Sequence, residues 1–173
     1  MVAGCGGGEP LAAQLGVVLS AARRLVLDAD GLNAVAVDPG LRSRLRERAS
    51  AGLASVLTPH PLEAARLLGT HVAAIQQDRL AAARALAQAL QSQVVLKGSG
   101  TVIASPDGQA WINPTGNGRL ASAGTGDVLA GWLGGHWSAN PAGDDPAEAA
   151  LADRKSTRLN SSHSQQSRMP SSA

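Results

Sequence analysis

Short apolar runs that alternate with helix-length segments constrain this chain more than any other feature. Arg24–Ala29 (RLVLDA), Leu53–Leu57 and Gln93–Lys97 are each long enough for a buried strand and too short for a helix. Around them the pattern predicts helices over about Pro10–Ala21, Asp30–Val37, Pro39–Ser50, Leu62–Leu68 and Gln76–Gln91. The last places Leu80, Ala83, Leu86, Ala87 and Leu90 on one face. Strands joined through helices need crossover connections, and these build a mainly parallel sheet. Thr101–Ala104 and Gln109–Ile112 flank Pro106-Asp107-Gly108, a turn signal that adds a late antiparallel hairpin. Gly126–Trp137 reads as a helix, and Pro146–Asp153 begins another. The fold class expected is α/β.

The ends differ from the body. Met1–Gly8 (MVAGCGGG) runs from a short apolar stretch into glycines, as a strand end entering a helix does. Arg154–Ala173 has seven Ser among 20 residues, with only Leu159, Met169 and Ala173 apolar. Such a segment buries too little surface to offset its ordering entropy. It also resembles translated adapter or vector sequence, so the domain expected is 1–153, followed by a disordered and artefactual 154–173.

Composition narrows the function classes. The net charge of +2 comes from that tail, which carries four of the 15 Lys+Arg and no acid. The other 11 face 13 Asp+Glu, a net of −2. A body of that sign has no basic stripe for nucleic acid, and no aromatics interleave with basic residues for base stacking. No run is long enough to cross a bilayer. Cys5 is the one cysteine, so an internal disulfide is impossible. Neither a nucleic-acid nor a membrane partner is expected, and a cytoplasmic location is.

The residues that carry chemistry cluster late. Gly124-Thr125-Gly126-Asp127 enters a helix, where glycine turns and unpaired N–H groups form a cradle for phosphate oxygens. Asp127 is placed to accept a proton from a substrate hydroxyl. A tight turn with an acidic cap accounts for the same four residues equally well. Asn113–Gly118 (NPTGNG) and Lys97–Thr101 (KGSGT) are two further Gly-containing turns, and loops of this kind converge at the strand ends where α/β ligands sit. Spacing alone favours a solvent-facing Lys97 over a phosphate partner. Asp28 and Asp30 follow a strand on the same edge, where helix capping weighs at least as much as metal or substrate contact. His60 lies between Pro59 and Pro61, and capping the next helix with Glu63 is the favoured reading of it from spacing. His71 and His136 have no partner at ligand spacing and read as structural or solvated.

Taken in order, VAGCGGG, LVLDADGLNAVA, LTPHPLEAARLLG, VVLKGSGTVIA, WINPTGN and AGTGDVLAGWLGG resemble the C-terminal part of the NAD(P)H-hydrate dehydratase family of the ribokinase-like superfamily. The resemblance covers about Val2–Gly135. It departs at Gly118-Arg119, where the family often has Pro-Gly, and at Ala123, where Gly is frequent. It implies a three-layer sandwich lacking its first strands. It also implies ADP-dependent dehydration of hydrated NADH or NADPH, giving NAD(P)H, AMP and phosphate, a carbon–oxygen lyase reaction with Mg²⁺ beside the phosphates. Lys97, Gly98, Ser99, Gly100, Thr101 and Gly126 match ADP/AMP-binding positions. Gly8, His60 and Asp127 match hydrate-binding positions, and Asp127 the catalytic acid–base position. No dedicated metal-binding residue is assigned. A homo-oligomer and an epimerase domain fused upstream are further implications. A sheet without its first strands exposes an edge, so this chain is expected to fold poorly and to show little or no activity alone. Two other readings stay open: an ATP-dependent ribokinase-like kinase of a small hydroxymethyl compound, and a nucleotide-binding remnant without catalysis.

Overall fold

A computed structural model describes residues 1–6, 8–113 and 125–139. Its strands are β1 (Val2–Ala3), β2 (Arg24–Leu27), β3 (Ala54–Leu57), β4 (Gln93–Leu96), β5 (Val102–Ala104) and β6 (Ala110–Ile112). The helices are α1 (Gly8–Ala21), α2 (Ala29–Val37), α3 (Pro39–Ser50), α4 (Pro61–Leu68), α5 (Val72–Gln77), α6 (Arg79–Leu90) and α7 (Thr125–Ala139). The strands lie side by side in chain order. β1 to β4 are parallel, and β4–β5–β6 are antiparallel. The mainly parallel sheet and late hairpin are those read from the sequence.

Strand periodicity decides which layer each residue feeds. Leu25, Leu27, Leu57, Val94, Leu96, Val102 and Ala104 face one core, shared with residues of α1 to α6. Their neighbours Val26, Val56, Val95 and Ile103 face the opposite side, where α7 contributes Ala130, Leu133 and Trp137. Successive side chains of a strand alternate faces, so a strand buried on both sides is mostly apolar, and its buried polar exceptions, Ser55 and Gln93, hydrogen-bond with Arg48 and Ser105. The result is the expected helix–sheet–helix sandwich. α7 is the helix on its second face among the described residues. Arg24 ties that helix to β2, donating to the Trp137 carbonyl and lying over its ring at 5.7 Å.

One predicted helix divides. Gln76–Gln91 is broken at Asp78, whose side chain accepts from the Ala81 N–H at 2.8 Å and caps α6. α5 is then a separate short helix ending at Gln77. The apolar stripe Ala83, Leu86, Ala87 and Leu90 is buried as its period required. Only a side chain that competes for the backbone donors ends the helix before it.

β1 sits at the sheet edge. Met1 donates its amino group to the Arg24 carbonyl at 2.8 Å, and Asp28 N–H donates to Ala3 at 3.0 Å. Gly4 then passes against the β2–α2 turn with φ +117, and a Cβ there would lie 1.8 Å from the Asp28 carbonyl oxygen. Only glycine has that backbone region and that clearance. The predicted helix from Pro146, the tail Arg154–Ala173 and most of Asn113–Asp127 lie outside the described residues.

Candidate active site

The C-terminal ends of β2, β3 and β4 present their following residues to one edge, as parallel strands in α/β proteins do. Asp28 follows β2 and is 1% exposed. Its Oδ1 accepts from the Ala29 N–H at 2.9 Å and from Lys97 Nζ at 2.7 Å. Asp28 therefore caps α2 and pairs with Lys97 at once. Lys97 follows β4, and its side chain is 19% exposed. The solvent-facing lysine favoured by spacing is corrected: the buried carboxylate across the sheet draws it inward.

α7 meets this pair with its N-terminus. A Cβ at Gly126 would lie 3.3 Å from Lys97 Nζ and 3.6 Å from Asp28 Oδ2. The missing side chain lets the helix start approach the ion pair. Asp127, one residue on, is exposed in the first turn. One ligand atom each of Cys5, Asp28 and Asp127 lie within 4.8 Å of one another. Burial raises the Cys5 thiol from 9.0 to about 11, helped by its hydrogen bond to Asp127 and the nearby carboxylates, with Lys97 opposing. Cys5 thus remains a thiol at neutral pH and a weak donor toward Asp127.

This cluster holds two carboxylates and one ammonium. Its donors are hard oxygens beside a protonated sulfur, a set suited to a hard cation held partly through phosphate oxygens. The first N–H groups of α7, which have no partner within the helix itself, add partial positive charge where an anion would sit.

The KGSGT turn, Lys97–Thr101, links β4 to β5. Ser99 is exposed at its tip. Thr101 Oγ1 donates to the Gly98 carbonyl at 3.1 Å, and Asn113 N–H donates to the Thr101 carbonyl at 2.8 Å. Asn113, 1% exposed, thus joins the end of β6 to this loop before the chain enters 114–124, outside the described residues.

His60 takes the capping geometry read from its spacing. Its Nδ1 accepts from the Leu62 and Glu63 N–H groups at 3.1 and 3.4 Å. Glu63 Oε2 accepts from the His60 N–H at 2.8 Å. With Nδ1 accepting, the ring hydrogen falls on Nε2, which faces Glu63 Oε1 at 3.3 Å. His60 remains part-exposed beside the strand ends, and Gly8 opens α1 behind the β1 turn. His71 precedes α5 without a side-chain cap bond, and His136 stacks on Trp132 at 5.1 Å. The structure thus brings Lys97, Gly126, Asp127 and the weighed Asp28 together. It adds the Cys5 side chain, to which sequence reasoning assigned no role, and sets Arg79 against the Lys97–Thr101 turn.

Comparisons with known proteins show the family and the fold. The sequence model of the NAD(P)H-hydrate dehydratase family matches residues 1–172. An ADP-dependent (S)-NAD(P)H-hydrate dehydratase of Neisseria meningitidis serogroup B is 46% identical over 137 residues, 77% of this chain and 45% of that relative. A crystal structure of an ADP/ATP-dependent NAD(P)H-hydrate dehydratase from Bacillus subtilis, co-crystallised with ATP/Mg²⁺, aligns with TM-score 0.60 and 38% identity, over 78% of this chain and 43% of that one. A ribokinase-like superfamily protein from Enterococcus faecalis V583 shares the fold at 20% identity and TM-score 0.53, over 87% of this chain and 59% of its own. The chain spans less than half the length of the first two.

Proposed function

Because this chain belongs to the NAD(P)H-hydrate dehydratase family, we propose that its site serves the ADP-dependent dehydration of hydrated NADH or NADPH, yielding NAD(P)H, AMP and phosphate. The observation that carries this reading is the meeting of Lys97, Asp28 and the α7 start with Asp127 at one strand edge. Phosphoryl transfer asks for charge neutralisation and an aligned acceptor more than for covalent chemistry. Lys97 and the α7 N–H groups supply the first. Asp127 supplies the second by accepting the proton of the ring hydroxyl as its oxygen takes ADP's terminal phosphoryl group. AMP leaves, then phosphate departs with the former hydroxyl oxygen as the adjacent ring carbon gives up a proton to water and the ring double bond forms.

Lys97–Thr101 and Gly126 are proposed to hold the ADP moiety, with Gly8 and His60 lining the hydrate pocket. The protonated Cys5 keeps Asp127 turned toward the cluster. Two carboxylates beside the phosphates favour a divalent cation, and Mg²⁺ fits the oxygen donors present. Asp28 would hold it together with phosphate oxygens, where it supplies charge neutralisation. A cytoplasmic setting, a homo-oligomeric assembly and an epimerase unit acting on the same hydrate complete the proposal. Among the described residues no helix is long and apolar enough to cross a membrane.

The test offers ADP with hydrated NADH against ATP with small hydroxymethyl compounds. AMP release with recovery of NADH absorbance supports the dehydratase. ADP release with a phosphorylated alcohol supports a kinase instead. Asp127→Asn is expected to retain ADP binding and lose turnover at least a hundredfold, as general-base removal does (roughly 10²–10⁴). Equal turnover in that variant refutes the assignment of Asp127.

A further inference from the structure

We propose that Arg79, at the start of α6 and outside every motif of the chain, is a positioning residue that sets the Gly98 N–H as a donor to the bound nucleotide. This rests on the reading of Lys97–Thr101 as the nucleotide loop. Arg79 Nη2 donates to the Leu96 carbonyl at 3.1 Å and to the Lys97 carbonyl at 3.2 Å. Nη1 donates to Gln76 Oε1 at 3.1 Å, which fixes the fork from the other side. One guanidinium therefore grips two consecutive peptides at the end of β4.

Peptide planarity turns that grip into orientation. The C=O and N–H of one trans peptide point in opposite directions. The Leu96 carbonyl faces Arg79, and across the same peptide the Lys97 N–H donates to the Pro59 carbonyl at 2.8 Å. The Lys97 carbonyl also faces Arg79, so the Gly98 N–H points away from the guanidinium. It has no partner among the described residues. Gly98 holds φ +141, and a Cβ there would lie 3.0 Å from both guanidinium Nη atoms. Only glycine leaves room for the grip in that conformation.

Two further facts set Arg79 apart from an ordinary structural arginine. Its Nε–H is buried with no partner among the described residues, which a group placed for stability alone would avoid. Burial lowers its guanidinium below the ordinary arginine range, yet an arginine in a protein keeps its charge. That charge lies behind the loop, where it adds to Lys97 in drawing an anionic ligand. Lysine carries the same charge without the fork.

The experiment uses the full chain with ADP as probe and reads two quantities. Equilibrium titration gives the Kd for ADP in the parent, Arg79→Met and Arg79→Lys. Hydrogen exchange without ligand gives the protection of the Lys97 amide against amides of β2 and β3. Arg79→Met is expected to raise Kd about tenfold, the equivalent of about 1.4 kcal/mol. It is also expected to speed Lys97 exchange while the β2 and β3 amides keep theirs, with Arg79→Lys intermediate in both. An unchanged Kd in Arg79→Met, or unchanged Lys97 exchange, overturns the role. Uniformly faster exchange through β2 and β3 in both variants would make Arg79 a stability residue and also overturns it. If the parent itself binds no ADP, the nucleotide reading fails, and the donor role proposed for Gly98 falls with it.

Discussion

The Asp28–Lys97 pair allows a prediction about order as well as size. Asp28 is 1% exposed and Lys97 19%. At their 2.7 Å separation the attraction is large in gross terms, but desolvation of both ions offsets most of it. Breaking a pair leaves the survivor's desolvation uncompensated, and that cost follows the survivor's burial. Lys97→Met strands the deeper partner, a carboxylate with Asp127 close by. It is expected to cost about 3 kcal/mol, the lower end for a buried pair, because Lys97 itself borders solvent. Asp28→Asn leaves an ammonium that still reaches water and an amide oxygen that still accepts. It is expected to cost about 2 kcal/mol. The double variant should then fall short of the sum by about 2 kcal/mol. All four proteins are compared by urea unfolding followed through far-ultraviolet circular dichroism. Additivity within about 0.5 kcal/mol would refute the coupling. A larger loss from Asp28→Asn than from Lys97→Met would refute the argument from burial. A cooperative curve for the parent would at the same time overturn the expectation that this chain folds poorly.

Other consequences follow from single residues. The folded Cys5 thiol sits at about 11, above its ordinary 9.0, so the stability it contributes is complete below pH 9 and lost as pH rises toward 11. Iodoacetamide alkylation should follow that high value, and Asp127→Asn should move the profile part of the way back toward 9.0 by removing the Asp127 charge while burial continues to raise it. An unmoved profile would sink the thiol–carboxylate contact. Gly4→Ala puts a methyl group 1.8 Å from the Asp28 carbonyl oxygen at φ +117, and a loss above about 3 kcal/mol is expected, read as loss of soluble protein. His60→Asn keeps a capping side chain while removing the ring. If His60 lines the hydrate pocket, KM for the hydrate rises and the unfolding midpoint stays within about 0.5 kcal/mol of the parent. Unchanged KM would leave His60 as a cap alone.

Local pattern reached far into this protein. Strand length and spacing identified β2, β3, β4 and the hairpin, because a strand buried on both faces is mostly apolar. Pro61, Glu63 and His60 announced the start of α4, because capping is settled within four residues. The order of the Gly-containing turns pointed to the family that the comparisons show. What spacing could not supply was distance across the sheet. Lys97 and Asp28 stand 69 positions apart, and their pairing exists only because β3 brings β2 and β4 to the same edge. Asp78 divides the predicted helix Gln76–Gln91 just before its apolar stripe begins, by capping α6 through the Ala81 N–H. Arg79 is an ordinary charged residue in sequence, and only tertiary packing sets it against the Leu96 and Lys97 carbonyls. Sequence determined the elements and the chemical types at their ends, since these follow from periodicity and local hydrogen bonding. The tertiary structure decided which charges meet and which peptides are held, since those depend on contacts between segments that no local rule connects.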